Sequence, residues 1–122
     1  MTRRKSTLLW TLALLLFAIS SCEYTNIEPI EVVLPDEKVS FSEEIAPVLA
    51  SKCASCHQSV APILSAGNEY NNLINGGYIN LDAPAESILY TKTSGGHPAG
   101  SGLTATEQAI ILKWIEEGAE NN

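Results

Sequence analysis

The chain has 122 residues, 45% of them hydrophobic and 17% charged, with 8 Gly and 6 Pro. That length holds one small domain, and that composition excludes collagen-like, low-complexity and fully disordered chains. The only charges before position 22 are Arg3, Arg4 and Lys5, and beyond them four lysines face 14 acidic residues, a net charge of −10 that repels phosphate backbones and excludes nucleic-acid binding.

The basic start, the apolar run from Leu8 to Ile19 and the small pair Ser20-Ser21 stand in the order of a secretory signal. The run is too short to span a bilayer, which takes about 20 apolar residues. Ile19-Ser20-Ser21-Cys22 resembles a bacterial lipobox. The resemblance implies cleavage before Cys22 and lipid on that cysteine; the alternative is an ordinary signal peptide with a spare thiol. The expected organisation is a signal peptide over 1–21, a lipidated tether over 22–39 and one globular domain over 40–122. Each buried acyl methylene contributes about 0.8 kcal/mol, so several chains hold a protein on a membrane without a spanning helix. The expected location is the bacterial cell envelope, on a periplasmic or outer-membrane face, in an oxidising compartment. Glu23 to Asp36 shows little period until Val32-Val33-Leu34, an extended segment closing the tether.

Ser40-Phe41-Ser42-Glu43 is a capping box that predicts a helix start. Phe41, Ile45, Val48, Leu49, Cys53 and Cys56 then fall at helical spacing, with Pro47 in the tolerant first turns, so both thiols are expected on the buried face. They belong to Cys53-Ala54-Ser55-Cys56-His57, a C-x-x-C-H string. Two thiols one helical turn apart can add to the two vinyl groups of one porphyrin, and the next His then lies under the iron as proximal ligand. The motif therefore points to one covalently attached haem c. Three other readings stand beside it. A thioredoxin-like dithiol needs a βαβ setting that is lacking here. A zinc site would have to gather Cys53, Cys56, His57 and His97. A plain disulfide is open to any exported chain.

Ala61 to Leu64 reads as a loop, and Glu69 to Ile74 as a short helix with Tyr70, Leu73 and Ile74 inward, stopped by Gly76-Gly77. Asp82 and Pro84 signal a third helix carrying Ile88, Leu89 and Tyr90. Gly95 to Gly102 is rich in turn formers. Thr104-Ala105-Thr106-Glu107 is a second capping box, opening a last helix with the stripe Ile110, Ile111, Trp114 and Ile115 and a stop at Gly118. The prediction is all-α: about four helices and long loops, with a cofactor supplying apolar area that so small a chain lacks.

Phe41 to Leu49, Cys53 to His57, Pro84 to Tyr90, and Leu103 to Ala119 together resemble the small mono-haem cytochrome c domains, particularly the exported planctomycete-like type. The resemblance implies a cytochrome c-like fold over 40–122, with the first and last helices crossing beside the haem and Trp114 on the last helix against the first, and electron transfer rather than enzymatic turnover. Such domains usually take Met as sixth ligand from the loop before the last helix. Here the single Met is Met1, and His97-Pro98 stands in that loop, so His97 is the expected distal ligand; a surface His97, with the iron five-coordinate or bound by Lys92, Tyr90 or an Asn, is the alternative. The leading expectation is a membrane-tethered electron carrier whose acidic surface docks basic redox partners. An open sixth site would instead make a haem sensor or peroxidase-like domain.

Overall fold

In the computed structural model, residues 32–97 and 102–122 are described; the signal peptide, Cys22, most of the tether and Pro98 lie outside them. The described residues are helices, turns and loops, with no strand among them. No helix among them is long and apolar enough to cross a membrane.

The chain enters its first helix through a π-type turn, Phe41–Ile45, that continues into α1 (Ala46–Lys52). Ser40 caps it as expected, its hydroxyl accepting from the Glu43 N–H at 3.3 Å. The returning carboxylate is Glu44 rather than Glu43, accepting from the Ser40 N–H at 2.8 Å. The wide turn explains the shift: Ile45 N–H reaches back five residues to the Ser40 carbonyl at 3.3 Å, carrying position 44 to the cap. The remaining orphan donors of this end are met from far away in sequence. Asn122 Oδ1 accepts from the Phe41 N–H at 2.8 Å, and the Asn122 backbone oxygen accepts from the Ser42 N–H at 3.0 Å.

α2 (Glu69–Asn75) ends at Gly76, where a Cβ would stand 2.4 Å from the Tyr78 ring, and at Gly77, whose φ of 72° favours glycine. Leu73 is buried and Tyr70 half-buried, but Ile74 faces solvent, contrary to expectation. The predicted third helix is divided. A 3-10 turn, Pro84–Glu86, is separated by the non-helical Ser87 from α3 (Ile88–Thr91), which a π-type turn, Lys92–Gly96, prolongs. Its start is set by Asn80 rather than Asp82: Asn80 Oδ1 accepts from the N–H groups of Asp82 and Ala83, both at 3.1 Å. α4 (Ala105–Glu116) has the expected reciprocal capping box, Thr104 N–H to Glu107 Oε2 at 2.6 Å and Glu107 N–H to Thr104 Oγ1 at 3.2 Å.

One core gathers Phe41, Ile45, Leu49, Leu73, Ile111, Trp114 and Ile115, with Val39, Leu64, Leu89 and Ala119 closing it. At its centre Phe41 meets Trp114 at 5.4 Å between ring centres and Tyr70 edge-on at 5.1 Å. The polar handles of these rings are satisfied at the end of α4, with Trp114 Nε1–H donating to the Glu120 carbonyl and Tyr70 O–H to the Ala119 carbonyl, each at 3.0 Å. The segment read as the end of a tether belongs to this body. Val39 is buried and its N–H donates to Glu117 Oε2 at 2.8 Å, while the Lys113 ammonium donates to the carbonyls of Pro35 and Glu37.

Candidate functional site

α1 stops one residue before the C-x-x-C-H string, so the motif is a tight turn after the helix rather than its last face. The N–H groups of Cys53 and Ala54 share the Leu49 carbonyl, both at 2.9 Å; then Cys56 and His57 both donate to the Cys53 carbonyl, at 3.2 and 3.0 Å. This winding brings residues 53, 56 and 57 to one side, the i, i+3, i+4 relation. Cys53 is half-buried, as is His57, but Cys56 is exposed, which corrects the expectation that both thiols lie on a buried face.

Both thiols are free. Burial, then the neighbouring Cys56 and Glu107, push the Cys53 thiol above its ordinary range, so it stays protonated at neutral pH. A dithiol oxidoreductase requires the opposite shift, because its attacking cysteine works as a thiolate. Among the described residues no group of three or more His, Cys, Asp and Glu side chains is close enough to hold a metal ion by itself.

His57 is held from behind. Its Nδ1 lies 3.0 Å from the Pro62 carbonyl and 3.1 Å from that of Val60, and the loop is closed by Leu64 N–H donating to the His57 carbonyl at 2.7 Å. A carbonyl only accepts, so Nδ1 carries the proton and Nε2 keeps a lone pair for a ligand.

His57 opens onto a cleft of ≈ 290 Å³ that Cys53, Cys56 and His97 also line. Its walls are apolar, from Ala61, Pro62, Leu64, Leu73, Ile88 and Leu89, with Tyr78, Thr93, Lys52 and Lys92 completing the lining. His97 follows the turn Lys92–Gly96, in which Gly95 takes a φ of 138° and buried Thr93 donates to the Tyr90 carbonyl at 2.9 Å. The rings of His57 and His97 have centres 6.0 Å apart and planes 67° apart. Of the alternative ligands, Lys92 lines the cleft, whereas Tyr90 lines a separate groove of ≈ 470 Å³ along α4, with Leu34, Ala109 and Leu112. Cys22 lies outside the described residues.

Sequence reasoning missed Tyr78, Thr93 and Lys52 as cleft walls, and missed the Val60 and Pro62 carbonyls behind His57. Only Pro62 left a signal, a turn residue soon after the motif. No protein-family profile, curated protein sequence or solved structure matches this chain.

Proposed function

We propose that the chain is a membrane-tethered c-type cytochrome that carries single electrons in the cell envelope, and not an enzyme. In this reading Cys53 and Cys56 hold one haem c through thioethers, His57 is its proximal ligand, His97 its distal ligand, and lipidated Cys22 the anchor. The helices would then form a cytochrome c-like fold, in keeping with the packing of Trp114 on Phe41 at the opening of the first helix.

The observation that carries the reading is the spacing of the two imidazoles. With a nitrogen of each ring held at about 2 Å, two imidazoles at this spacing would be close enough to share one metal ion. The separation of the two ring centres is 6.0 Å, in a cleft that also presents both thiols. The donor set fits haem chemistry as well. The Nδ1 proton of His57 is committed to carbonyls, leaving Nε2 to bind, and each of the two free cysteines carries the S–H that would add across one vinyl group.

When bound, haem supplies an iron that cycles between Fe(III) and Fe(II) without gaining or losing a proton. The protein's own share is positional. The carbonyls of Val60 and Pro62 behind His57 fix the orientation of its ring. Leu64, Leu73 and Leu89 exclude water from the cleft wall. Two imidazoles, in place of the imidazole and thioether of the usual domains, favour the oxidised state and so lower the potential.

The test is the ferric absorption spectrum of the purified protein and of His97→Ala. The wild type is expected to show a low-spin haem that binds carbon monoxide only slowly when reduced. His97→Ala is expected to become high-spin and to bind it rapidly. An unchanged spectrum in the variant removes His97 from the iron; a high-spin wild type moves the sensor or peroxidase-like reading ahead; absence of haem absorbance refutes the proposal.

A further inference from the structure

The face at which the chain enters the body is apolar. Val33 and Leu34, just inside the described residues, are 73% and 37% exposed. Leu34 also lines the groove of ≈ 470 Å³ along α4, together with Tyr90 of α3. The α4 residues Ala105, Ala109 and Leu112 in that groove fall at i, i+4 and i+7. They form a second face of the helix, apart from buried Ile111, Trp114 and Ile115. The polar side chains around the groove are largely partnered within the protein. Gln108 Nε2–H donates to the Leu103 carbonyl at 3.3 Å, the Lys113 ammonium donates to the carbonyls of Pro35 and Glu37, and Glu117 Oε2 accepts from the Val39 N–H at 2.8 Å. Covering this face therefore strands few polar groups, and Glu116, at the last position of α4, is exposed and keeps its carboxylate in water.

Resting on the membrane-tethered reading above, we infer that this face seats the body on a phospholipid bilayer, with Val33 and Leu34 in the headgroup boundary and the groove covering acyl chain. The length of the connection selects that occupant. Cys22 and Val32 are ten residues apart, at most about 35 Å even when fully extended. A lipid on Cys22 holds the face within that reach of the membrane and makes its contact intramolecular, so a weak apolar contact is enough. Charge selects the kind of lipid. Four lysines against 14 acidic residues from Cys22 onward give anionic headgroups no attraction, so the contact is apolar and favours zwitterionic lipid. The seat also sets the direction of the cleft. Leu89 lines the cleft and its neighbour Tyr90 the groove, so α3 stands between them. A body resting on the groove keeps the cleft clear of the bilayer and open to a partner in water.

The experiment uses the processed, haem-loaded full chain in phosphatidylcholine vesicles that contain phosphatidylcholine with a diazirine midway along one acyl chain. Illumination makes a carbene that inserts into the nearest bond, and proteolysis with mass spectrometry locates it. Label is expected on the peptides holding Val33-Leu34 and Ala105 to Leu112, and not on the loop with the exposed Val60 and Ile63 beside the cleft. Leu34→Asp is expected to lower the groove label about tenfold. Ala105→Asp, at an exposed first-turn position where an acid favours the helix, should do the same. Leu81→Asp changes net charge equally at a residue 57% exposed and off the groove, and should leave the label unchanged. Each variant is compared at wild-type circular dichroism and haem absorbance. Replacing half of the lipid by phosphatidylglycerol should reduce the label at about 0.01 M salt and less so at about 0.15 M.

Label centred on Val60 and Ile63, equal losses from Leu34→Asp and Leu81→Asp, or an acylated chain that stays on the vesicles without groove label overturns the seat and leaves the tethered reading intact. A chain mass lacking acyl groups, with the protein free of the vesicles, refutes the tethered reading and the seat with it.

Discussion

Truncating Trp114 tests how the core holds the cleft together. Its side chain is 1% exposed and packs on Phe41 at 5.4 Å and Tyr70 at 6.4 Å, while its N–H donates to the Glu120 carbonyl. Trp114→Ala removes these contacts together, and truncations of this kind cost about 3–5 kcal/mol. Small domains are stable by only about 5–15 kcal/mol, so the variant forfeits a large share of the total. Glu120 is exposed, so water replaces the indole at its carbonyl, and most of the loss is packing rather than hydrogen bonding. The hydrogen-bond part is about 1 kcal/mol. Urea unfolding followed by far-ultraviolet circular dichroism measures the change, with Val33→Ala as control because Val33 is 73% exposed and should change stability by less than about 0.5 kcal/mol. Should Trp114→Ala lose less than about 1 kcal/mol, the aromatic cluster is not the keystone of this core and the packing argument fails.

Three further outcomes follow from local geometry. The Thr104 N–H holds the Glu107 carboxyl below its ordinary value of 4.5, so its contribution is full above that value and is lost as pH falls through the lowered one. Glu107→Gln should flatten that part of the acid dependence of the urea midpoint, and Thr104→Ala should cost about 1 kcal/mol at neutral pH. Gly76→Ala places a Cβ 2.4 Å from the Tyr78 ring and 2.6 Å from the Asn72 carbonyl, so about 1–3 kcal/mol should be lost in thermal unfolding, with the Tyr78 wall of the cleft displaced.

Local chemistry made much of this molecule readable. The second capping box is where the hydroxyl of Thr104 and carboxylate of Glu107 place it, because both partners lie within one helical turn. The buried stripe Ile111, Trp114 and Ile115 follows from helical spacing alone. The first box was only half readable, since a π-type turn substitutes Glu44 for Glu43 and neither residue type announces that turn. Contacts between distant positions left no trace: Asn122 serving the Phe41 N–H, or Lys113 and Glu117 drawing in residues 35 to 39. Ile74 was misplaced because helical period names a face without saying how much of that face the fold covers. For the candidate site, the C-x-x-C-H string named three of its residues and the ligand-loop position a fourth. That Lys52 and Lys92 line the same cleft depends on how α1 and the turn after α3 meet, which spacing does not encode.

The most direct test of the central claim is the intact mass of the purified, processed protein after acid–acetone extraction. The account predicts that haem survives extraction on the chain and, after proteolysis, sits on one peptide containing Cys53 and Cys56. Complete transfer of haem to the acetone phase, or a chain mass with both thiols free, would contradict it.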